Sequence, residues 1–121
     1  MPELAVGREL DAAVAKALGY DVLVREDKSI RSQFWYTIDK NGKKAGLLWY
    51  SLKDADAFAA LDEARAKRPG LEWTLTYYAK HDAHDLELLP AQGRPIILDR
   101  MYNTRAEAIS RAIVALAEEK P

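Results

Sequence analysis

Two histidines and two aspartates lie within five residues of one another in the second half of the chain. The segment reads His81-Asp82-Ala83-His84-Asp85. Imidazole nitrogens and carboxylate oxygens bind divalent metals, so this segment could hold an ion if a third ligand arrived from elsewhere in the fold. The sequence contains no further histidine, and no acid stands at a recognisable ligand spacing. We therefore interpret the segment as a solvated loop and predict no metal site.

Recognisable catalytic motifs are missing from the sequence. It contains no Gly-x-Ser-x-Gly nucleophile motif, no phosphate-binding Gly-rich loop and no His-Glu-x-x-His zinc motif. It also has no cysteine, which excludes thiol nucleophiles, disulfides and Cys-ligated zinc together. The sequence therefore predicts a protein that is not an enzyme and that uses no cofactor.

Aromatic side chains are the second group of candidate functional residues. Many of them fall on predicted strands, where alternation prevents them from all facing one layer of the fold. One interpretation is that the rings fill a core on both sides of a sheet. The other is that some of them form a pocket or a subunit contact, in which rings stack on a base and cations meet phosphate. The residues of this candidate ligand site are Trp35, Lys43, Lys44, Trp49, Tyr78, Arg94 and Arg100.

The charge balance limits the partners. Eighteen Lys and Arg face nineteen Asp and Glu, for a net charge of −1, and the two signs are interspersed. Such a chain has no strong field to attract nucleic acid or an anionic membrane. The helix predicted at the end of the chain also mixes Arg105 and Arg111 with Glu107, so it lacks the basic face of a double-stranded-RNA-binding domain. Nucleic acid and membrane are therefore not expected as partners.

No segment approaches the roughly eighteen apolar residues of a membrane span, and no apolar run follows basic residues at the start of the chain. We expect a cytosolic protein. The absence of cysteine is compatible with a reducing compartment.

A β-hairpin that leads into a helix would position several of the aromatic residues. Its strands are Ser32–Asp39 and Ala45–Tyr50, joined through Asn41-Gly42, a pair that tolerates the positive φ angles of a type I′ turn. Ser51 then stands where a helix N-cap stands, with Asp54 in the place of a capping-box acid. The hairpin and this helix form the predicted centre of the fold.

The remaining elements are predicted from periodicity and turn residues. Apolar spacing predicts a first helix before Gly19 and a last helix after Thr104, where Glu107 completes a second capping box. Alternation from Leu71 to Tyr78 predicts the clearest strand of the chain. The other segments are a short strand or extended lead-in at 20–24, a polar loop at 25–31, a loop at 80–95 with a short strand at 86–89, and a strand at 96–98.

These elements predict one α+β domain over residues 1–121. An antiparallel sheet of about four or five strands, packed with three helices, is the economical architecture. Periodicity alone leaves open whether the helices cover one face of this sheet or both.

Three segments carry a resemblance to a known family. They are the opening Gly7-Arg-Glu-Leu-Asp-Ala-Ala-Val-Ala-Lys-Ala-Leu-Gly-Tyr, the pair Tyr50-Ser51 with the helix that follows, and Thr104-Arg-Ala-Glu-Ala-Ile-Ser-Arg-Ala-Ile-Val-Ala-Leu. Together they resemble the phage ABA-sandwich domain family, small proteins of phages and prophages. The sequence departs from that pattern at Leu52-Lys53, where the family has a small or acidic pair. The resemblance implies a phage origin and an α/β/α sandwich, and it implies no catalytic residue.

A small phage domain without catalytic residues is expected to act as a stoichiometric binder, and counter-defence in the bacterial host cytoplasm is the role we predict by analogy. In the first version, a homo-oligomer sequesters a small anionic, nucleotide-type ligand at an aromatic and basic pocket. In the alternatives, the protein inhibits a host defence protein directly, or it serves as a structural or assembly accessory of the virion.

Overall fold

The computed structural model describes residues 4–119, which form three helices and six strands. The helices are α1 (Arg8–Ala17), α2 (Asp54–Lys67) and α3 (Arg105–Glu118). The strands are β1 (Asp21–Asp27), β2 (Ser32–Ile38), β3 (Lys44–Gly46), β4 (Glu72–Tyr78), β5 (Ala83–Leu89) and β6 (Ile96–Ile97). The predicted α+β class and the three helices are confirmed.

The strands divide into two antiparallel sheets of three, in place of the predicted sheet of four or five. Sheet A has the order β1-β2-β3, and sheet B has the order β4-β5-β6. Helix α2 separates the two sets in the chain, and the last strand of each set is short, with three residues in β3 and two in β6. These two strands therefore offer little edge for extending either sheet.

The three helices form a single group with α3 at its centre. Helix α3 contacts both α1 and α2 and also packs on β5 and β6 of sheet B, while α1 contacts β1 of sheet A. Leu61 of α2, Leu86 of β5 and Ile109 of α3 are fully buried in one continuous apolar cluster. The helices therefore pack mainly against one another, rather than forming separate layers on the two faces of one sheet.

The first strand is longer than predicted. It extends through part of the segment 25–31 that we interpreted as a loop, and it pairs with β2 from Asp21 opposite Ile38 to Asp27 opposite Ser32. Only residues 28–31 form the connection. Charged residues indicated a loop, but an edge strand with exposed side chains accepts charges readily.

The β2–β3 hairpin is confirmed, but its turn is not of type I′. The Gly42 N–H donates to the Asp39 carbonyl at 2.9 Å, and Gly42 has a φ of +81° whereas Asn41 has a negative φ. This geometry is a type I turn followed by a left-handed glycine. The Asp39 carboxylate also accepts the N–H groups of Asn41 and Lys43, at 2.9 Å each. The second strand ends at Gly46, so residues 47–53 form an irregular connection to α2.

One predicted helix cap is confirmed and one is wrong. At α3, the Thr104 hydroxyl accepts the Glu107 N–H at 3.1 Å, as predicted, but the Glu107 carboxylate accepts from Arg111 Nε at 2.8 Å, so only the Thr104 half of the predicted capping box is found. At α2, the N-cap position is Lys53, which makes no side-chain cap, and Ser51 lies two residues earlier. The Ser51 hydroxyl is already bonded to α1, as described below.

The strand predicted at 86–89 begins earlier, at Ala83, so His84 and Asp85 belong to β5 rather than to a loop.

Among residues 4–119, no helix combines the length and the apolar character needed to cross a membrane.

Candidate functional site

A buried polar network joins the start of α1 to the segment 47–53. The Asp11 carboxylate has no solvent exposure, and its Oδ1 accepts the Ser51 backbone N–H at 2.7 Å and the Ser51 hydroxyl at 2.6 Å. The Ser51 Oγ accepts the Gly7 N–H at 2.9 Å. Gly7 adopts φ 116° and ψ −147°, a conformation that is essentially restricted to glycine. These hydrogen bonds compensate a carboxylate that would otherwise be costly to bury.

Arg8 supplies the opposite charge and holds a tryptophan in place. Its Nη1 donates to Asp11 Oδ2 at 2.9 Å and to the Leu48 carbonyl at 3.2 Å, and its Nη2 donates to the Leu47 carbonyl at 2.8 Å. The guanidinium carbon lies 3.7 Å from the centroid of the Trp49 ring. The Trp49 backbone N–H donates to Asp56 Oδ2 of α2 at 2.9 Å. These contacts hold both the ring and the backbone of Trp49 in place.

Trp49 is nevertheless accessible, and other apolar side chains are exposed on the same two segments. Trp49 is 40% exposed, Val6 40%, Leu48 44% and Leu52 55%. The hydrogen bond from Gly7 to Ser51 brings the segment that carries Val6 to the segment that carries the other three. We call these four residues with Arg8 the Trp49 face. Tryptophan and arginine are the residue types most enriched in energetically dominant parts of protein interfaces.

Only three of the seven residues of the sequence-predicted ligand site lie in the two sheets, and the other four lie in connections. Trp35 and Lys44 lie in sheet A. Trp35 is half-buried against the core, and the Lys44 ammonium lies 4.6 Å from the Tyr36 ring. Tyr78 ends β4 of sheet B and is 41% exposed. The remaining members are exposed Lys43 in the β2–β3 turn, Trp49 on the Trp49 face, exposed Arg94 before β6 and exposed Arg100 after β6. None of the seven residues lines the groove beside α3 or the cavity beside the β2–β3 turn.

A groove of about 530 Å³ lies between α3 and the segment around β6. Leu10, Leu98 and Val114 contribute to its apolar lining, and Tyr102 and Arg111 contribute polar groups. The Arg111 guanidinium lies 5.1 Å from the Tyr102 ring centroid, and that of Arg100 lies 5.2 Å from it. A volume of this size is typical of small-molecule clefts. Asp99 and Glu118 also line the groove, and Arg111 Nη2 lies 2.7 Å from the Glu107 carboxylate.

A second cavity, of about 270 Å³, lies between α2 and the β2–β3 turn. The Tyr20 hydroxyl donates to Glu63 Oε1 at 2.5 Å there, and Lys67 Nζ lies 3.9 Å from the same carboxylate oxygen. The hydrogen bond to Glu63 is the main cause of a raised pKa for Tyr20. This set ties the end of α1 to α2.

The histidine-rich segment does not assemble as a ligand set. His84 and Asp85 are consecutive residues of β5, so their side chains point to opposite faces. Asp82 accepts the Tyr77 hydroxyl at 2.9 Å, and the Tyr77 and His84 rings lie 4.9 Å apart. Within the described part of the chain, no three His, Asp or Glu side chains gather as a metal site would require.

The sequence-based reasoning missed Arg8 and Asp11 as members of the site. One signal was available: Asp11 lies between Leu10 and Val14, on the side of α1 that is buried, and a buried acid needs a partner. The partner itself, Ser51, lies forty residues away and could not be assigned by spacing.

Residues 4–119 thus define an α+β protein with two small sheets, a central helix group and an exposed, fixed tryptophan. Comparisons of the chain with models of known families, with curated proteins and with solved structures find no match.

Proposed function

We propose that this chain is a small phage-encoded, non-enzymatic binding protein that acts in counter-defence by docking a bacterial defence protein through the Trp49 face. The observation that carries the proposal is a tryptophan that is 40% exposed and yet held by the Arg8 guanidinium 3.7 Å away. A side chain that is fixed before binding loses little conformational entropy when a partner covers it. The phage origin and the counter-defence role are supported by the family resemblance alone.

The most suggestive catalytic pair in the molecule is better explained as a structural connection. Ser51 donates a short hydrogen bond to Asp11, as an activated nucleophile would, but both residues have no solvent exposure. A substrate could not reach the Ser51 hydroxyl without separating α1 from the segment 47–53. The network serves to fix the surface above it, and this supports a binding role.

The test is a quantitative capture experiment with immobilised protein and a lysate of the bacterial host. The Trp49→Ala variant is compared with wild type and with Ile30→Ala, which truncates another apolar side chain that is 60% exposed. We expect one host protein to be enriched by wild type and by Ile30→Ala. Its affinity for Trp49→Ala should fall by about 30-fold, as for a residue worth about 2 kcal/mol at an interface.

Circular dichroism melting curves establish whether the Trp49→Ala variant is folded. Equal enrichment of the same protein by folded Trp49→Ala and by wild type would contradict the proposal. Recovery of virion components in place of a host defence protein would instead favour the assembly role.

A second function, sequestration of a small anionic ligand of nucleotide type, is favoured by the groove beside α3. Arg111 lines this groove beside Tyr102, with its guanidinium 5.1 Å from the Tyr102 ring centroid, although that ring is only 7% exposed. Guanidinium groups bind phosphate in a bidentate manner, so Arg111 is the group that would contact an anionic ligand there. The carboxylates of Asp99 and Glu118 at the same groove disfavour an anion and make this the second candidate.

Native mass spectrometry with a defined mixture of nucleotides and cyclic nucleotides distinguishes the two functions. Sequestration at this groove predicts a discrete added mass that folded Arg111→Ala lacks and Trp49→Ala retains. A protein without added mass in every nucleotide mixture would exclude the nucleotide version and leave the Trp49 face as the binding surface.

A further inference from the structure

Strand β4 is an edge strand of sheet B along its full seven residues. It pairs with β5 on one side, from Glu72 opposite Leu89 to Tyr78 opposite Ala83, and no other strand of the described chain pairs with it. Natural proteins usually protect such an edge with charges, prolines, bulges or a covering element. Between its ends β4 contains no charged residue and no proline, and its pairing with β5 is continuous.

The direction of the free backbone groups of β4 follows from the far side of β5. His84 exchanges two backbone hydrogen bonds with Tyr102, at 2.7 and 2.8 Å, so its N–H and C=O point away from β4. Tyr77 is opposite His84 and therefore points its own N–H and C=O away from β5. By alternation, Leu75 and Trp73 do the same. These three residues present their donors and acceptors along the free edge.

The sequence of β4 is self-complementary about its central residue. If two copies pair antiparallel with Leu75 opposite Leu75, then Trp73 lies opposite Tyr77 and Thr74 lies opposite Thr76, while Glu72 lies opposite Tyr78. Aromatic pairs and threonine pairs across strands are favourable, and no two like charges meet. In this register the hydrogen-bonded pairs form between Trp73, Leu75 and Tyr77. These are the three residues whose backbone N–H and C=O groups point out from the free edge.

The edge of sheet A provides an internal contrast. The Leu47 N–H donates to the Trp35 carbonyl at 3.0 Å, so the backbone N–H and C=O of Trp35 point towards β3. Val24, which is opposite Trp35, therefore points its own N–H and C=O towards the free edge of β1. Self-pairing centred on Val24 would set Asp21 opposite Asp27 of the second copy. Like charges directly opposite each other are destabilising. Charge therefore protects β1 but does not protect β4.

We propose that two copies of this chain associate through their β4 strands, in antiparallel pairing centred on Leu75, to form a continuous six-stranded sheet. The pairing adds six backbone hydrogen bonds across the two-fold axis, two at Leu75 and four between Trp73 and Tyr77. It also covers Tyr77, which is 54% exposed in the single chain. This contact uses sheet B and does not depend on the Trp49 face.

The first test is the mass of the protein in solution, measured by analytical ultracentrifugation at micromolar concentration. We expect wild type to sediment as a species of two chains of 13.6 kDa each. In the double variant Thr74→Lys with Thr76→Lys, lysines oppose each other across the axis, and the protein should sediment as a single chain. Within one chain these lysines lie opposite Glu87 and Asp85 of β5, so the fold should be retained.

The matched variant carries Thr74→Lys alone, which faces the uncharged Thr76 of the second copy across the same axis and Glu87 within its own chain. It should recover the two-chain mass. A single-chain mass for wild type, or a two-chain mass for the folded variant with two lysines, would overturn the proposal.

The second test fixes the register, and it exploits a chain without cysteine. Hydrogen-bonded antiparallel pairs have Cα atoms about 5.5 Å apart, within the span of a disulfide. Under mild oxidation, Leu75→Cys should therefore link two chains, while Thr74→Cys, which lies opposite Thr76, should not. Equal cross-linking of both variants, or linking of neither in a two-chain species, would contradict a pairing centred on Leu75.

Discussion

At the scale of single residues, one buried carboxylate organises the surface that we propose to be functional. Asp11 is bonded to Ser51 and to Arg8, and Arg8 in turn covers one side of Trp49. Charge-assisted hydrogen bonds of this kind are worth more than neutral ones, and removal of one partner leaves the other buried without compensation. The stability of α1 on the fold and the position of Trp49 therefore depend on the same group.

We predict that Asp11→Asn lowers the free energy of unfolding by about 3 kcal/mol, because it removes the charge that compensates Arg8 and replaces the oxygen that accepts from Arg8 Nη1 with an NH2 donor. Asp62→Asn is the matched control, since Asp62 is exposed on α2 and its replacement should cost about 0.5 kcal/mol or less. Urea unfolding followed by tryptophan fluorescence measures both values. Equal stability of the two variants would show that the network contributes little.

The pH dependence of stability offers a test at Tyr50. Burial is the main cause that raises the pKa of this phenol above its ordinary value of 10.0, and the nearby Glu63 carboxylate adds to it. A raised pKa in the folded state means that the contribution of Tyr50 to stability is complete below pH 10. It is lost as the pH rises from there through the raised pKa, because the unfolded chain releases the proton more readily.

We therefore expect the free energy of unfolding of wild type to decline more steeply above pH 10 than that of Tyr50→Phe. Denaturant titrations at a series of alkaline pH values provide the comparison. An equal decline of the free energy of unfolding in the two proteins would contradict a raised pKa for Tyr50.

At the scale of elements, the sequence predicted the helices and the β4 strand because their signals are local. Thr104 caps α3 through a hydrogen bond three residues along the chain, which spacing alone can reveal. Ser51 carried the same local signal and was misinterpreted, because its hydroxyl bonds to Asp11, forty residues earlier. The extent of β1 was missed for a related reason: its pairing with β2 outweighs the polar character of its second half.

We predict that Thr104→Ala costs about 1 kcal/mol of stability through loss of the α3 cap. Thr104→Ser keeps a capping oxygen and should recover most of that loss. Thermal and urea unfolding of both variants measure the difference. A loss in Thr104→Ser as large as that in Thr104→Ala would point to packing of the threonine methyl group instead of capping.

At the scale of the whole molecule, sequence reasoning reached the fold class but not the division into two sheets. The seven residues chosen for a ligand site share types suited to stacking and charge, yet Trp35 lies in sheet A and Tyr78 in sheet B. Which sheet a strand joins depends on pairing across the fold, and periodicity does not encode it. Trp49 was among the seven, whereas the arginine that fixes it was not.

The two proposed surfaces are formed by different elements, β4 and the segment 47–53 with the start of α1, and we predict that they act independently. The variant with Thr74→Lys and Thr76→Lys should retain the affinity of each chain for the captured host protein, and Trp49→Ala should retain the two-chain mass. Ultracentrifugation and surface-bound affinity measurements on both variants check this. A change of affinity in the lysine variant would mean that the two surfaces form one site.

The measurement that tests the central claim most directly is the affinity of the captured host protein for wild type, Trp49→Ala and Ile30→Ala. We expect similar values for wild type and Ile30→Ala, and a loss of about 30-fold for Trp49→Ala with its fold intact. Binding that is unchanged in folded Trp49→Ala would contradict the claim that the Trp49 face is the binding surface.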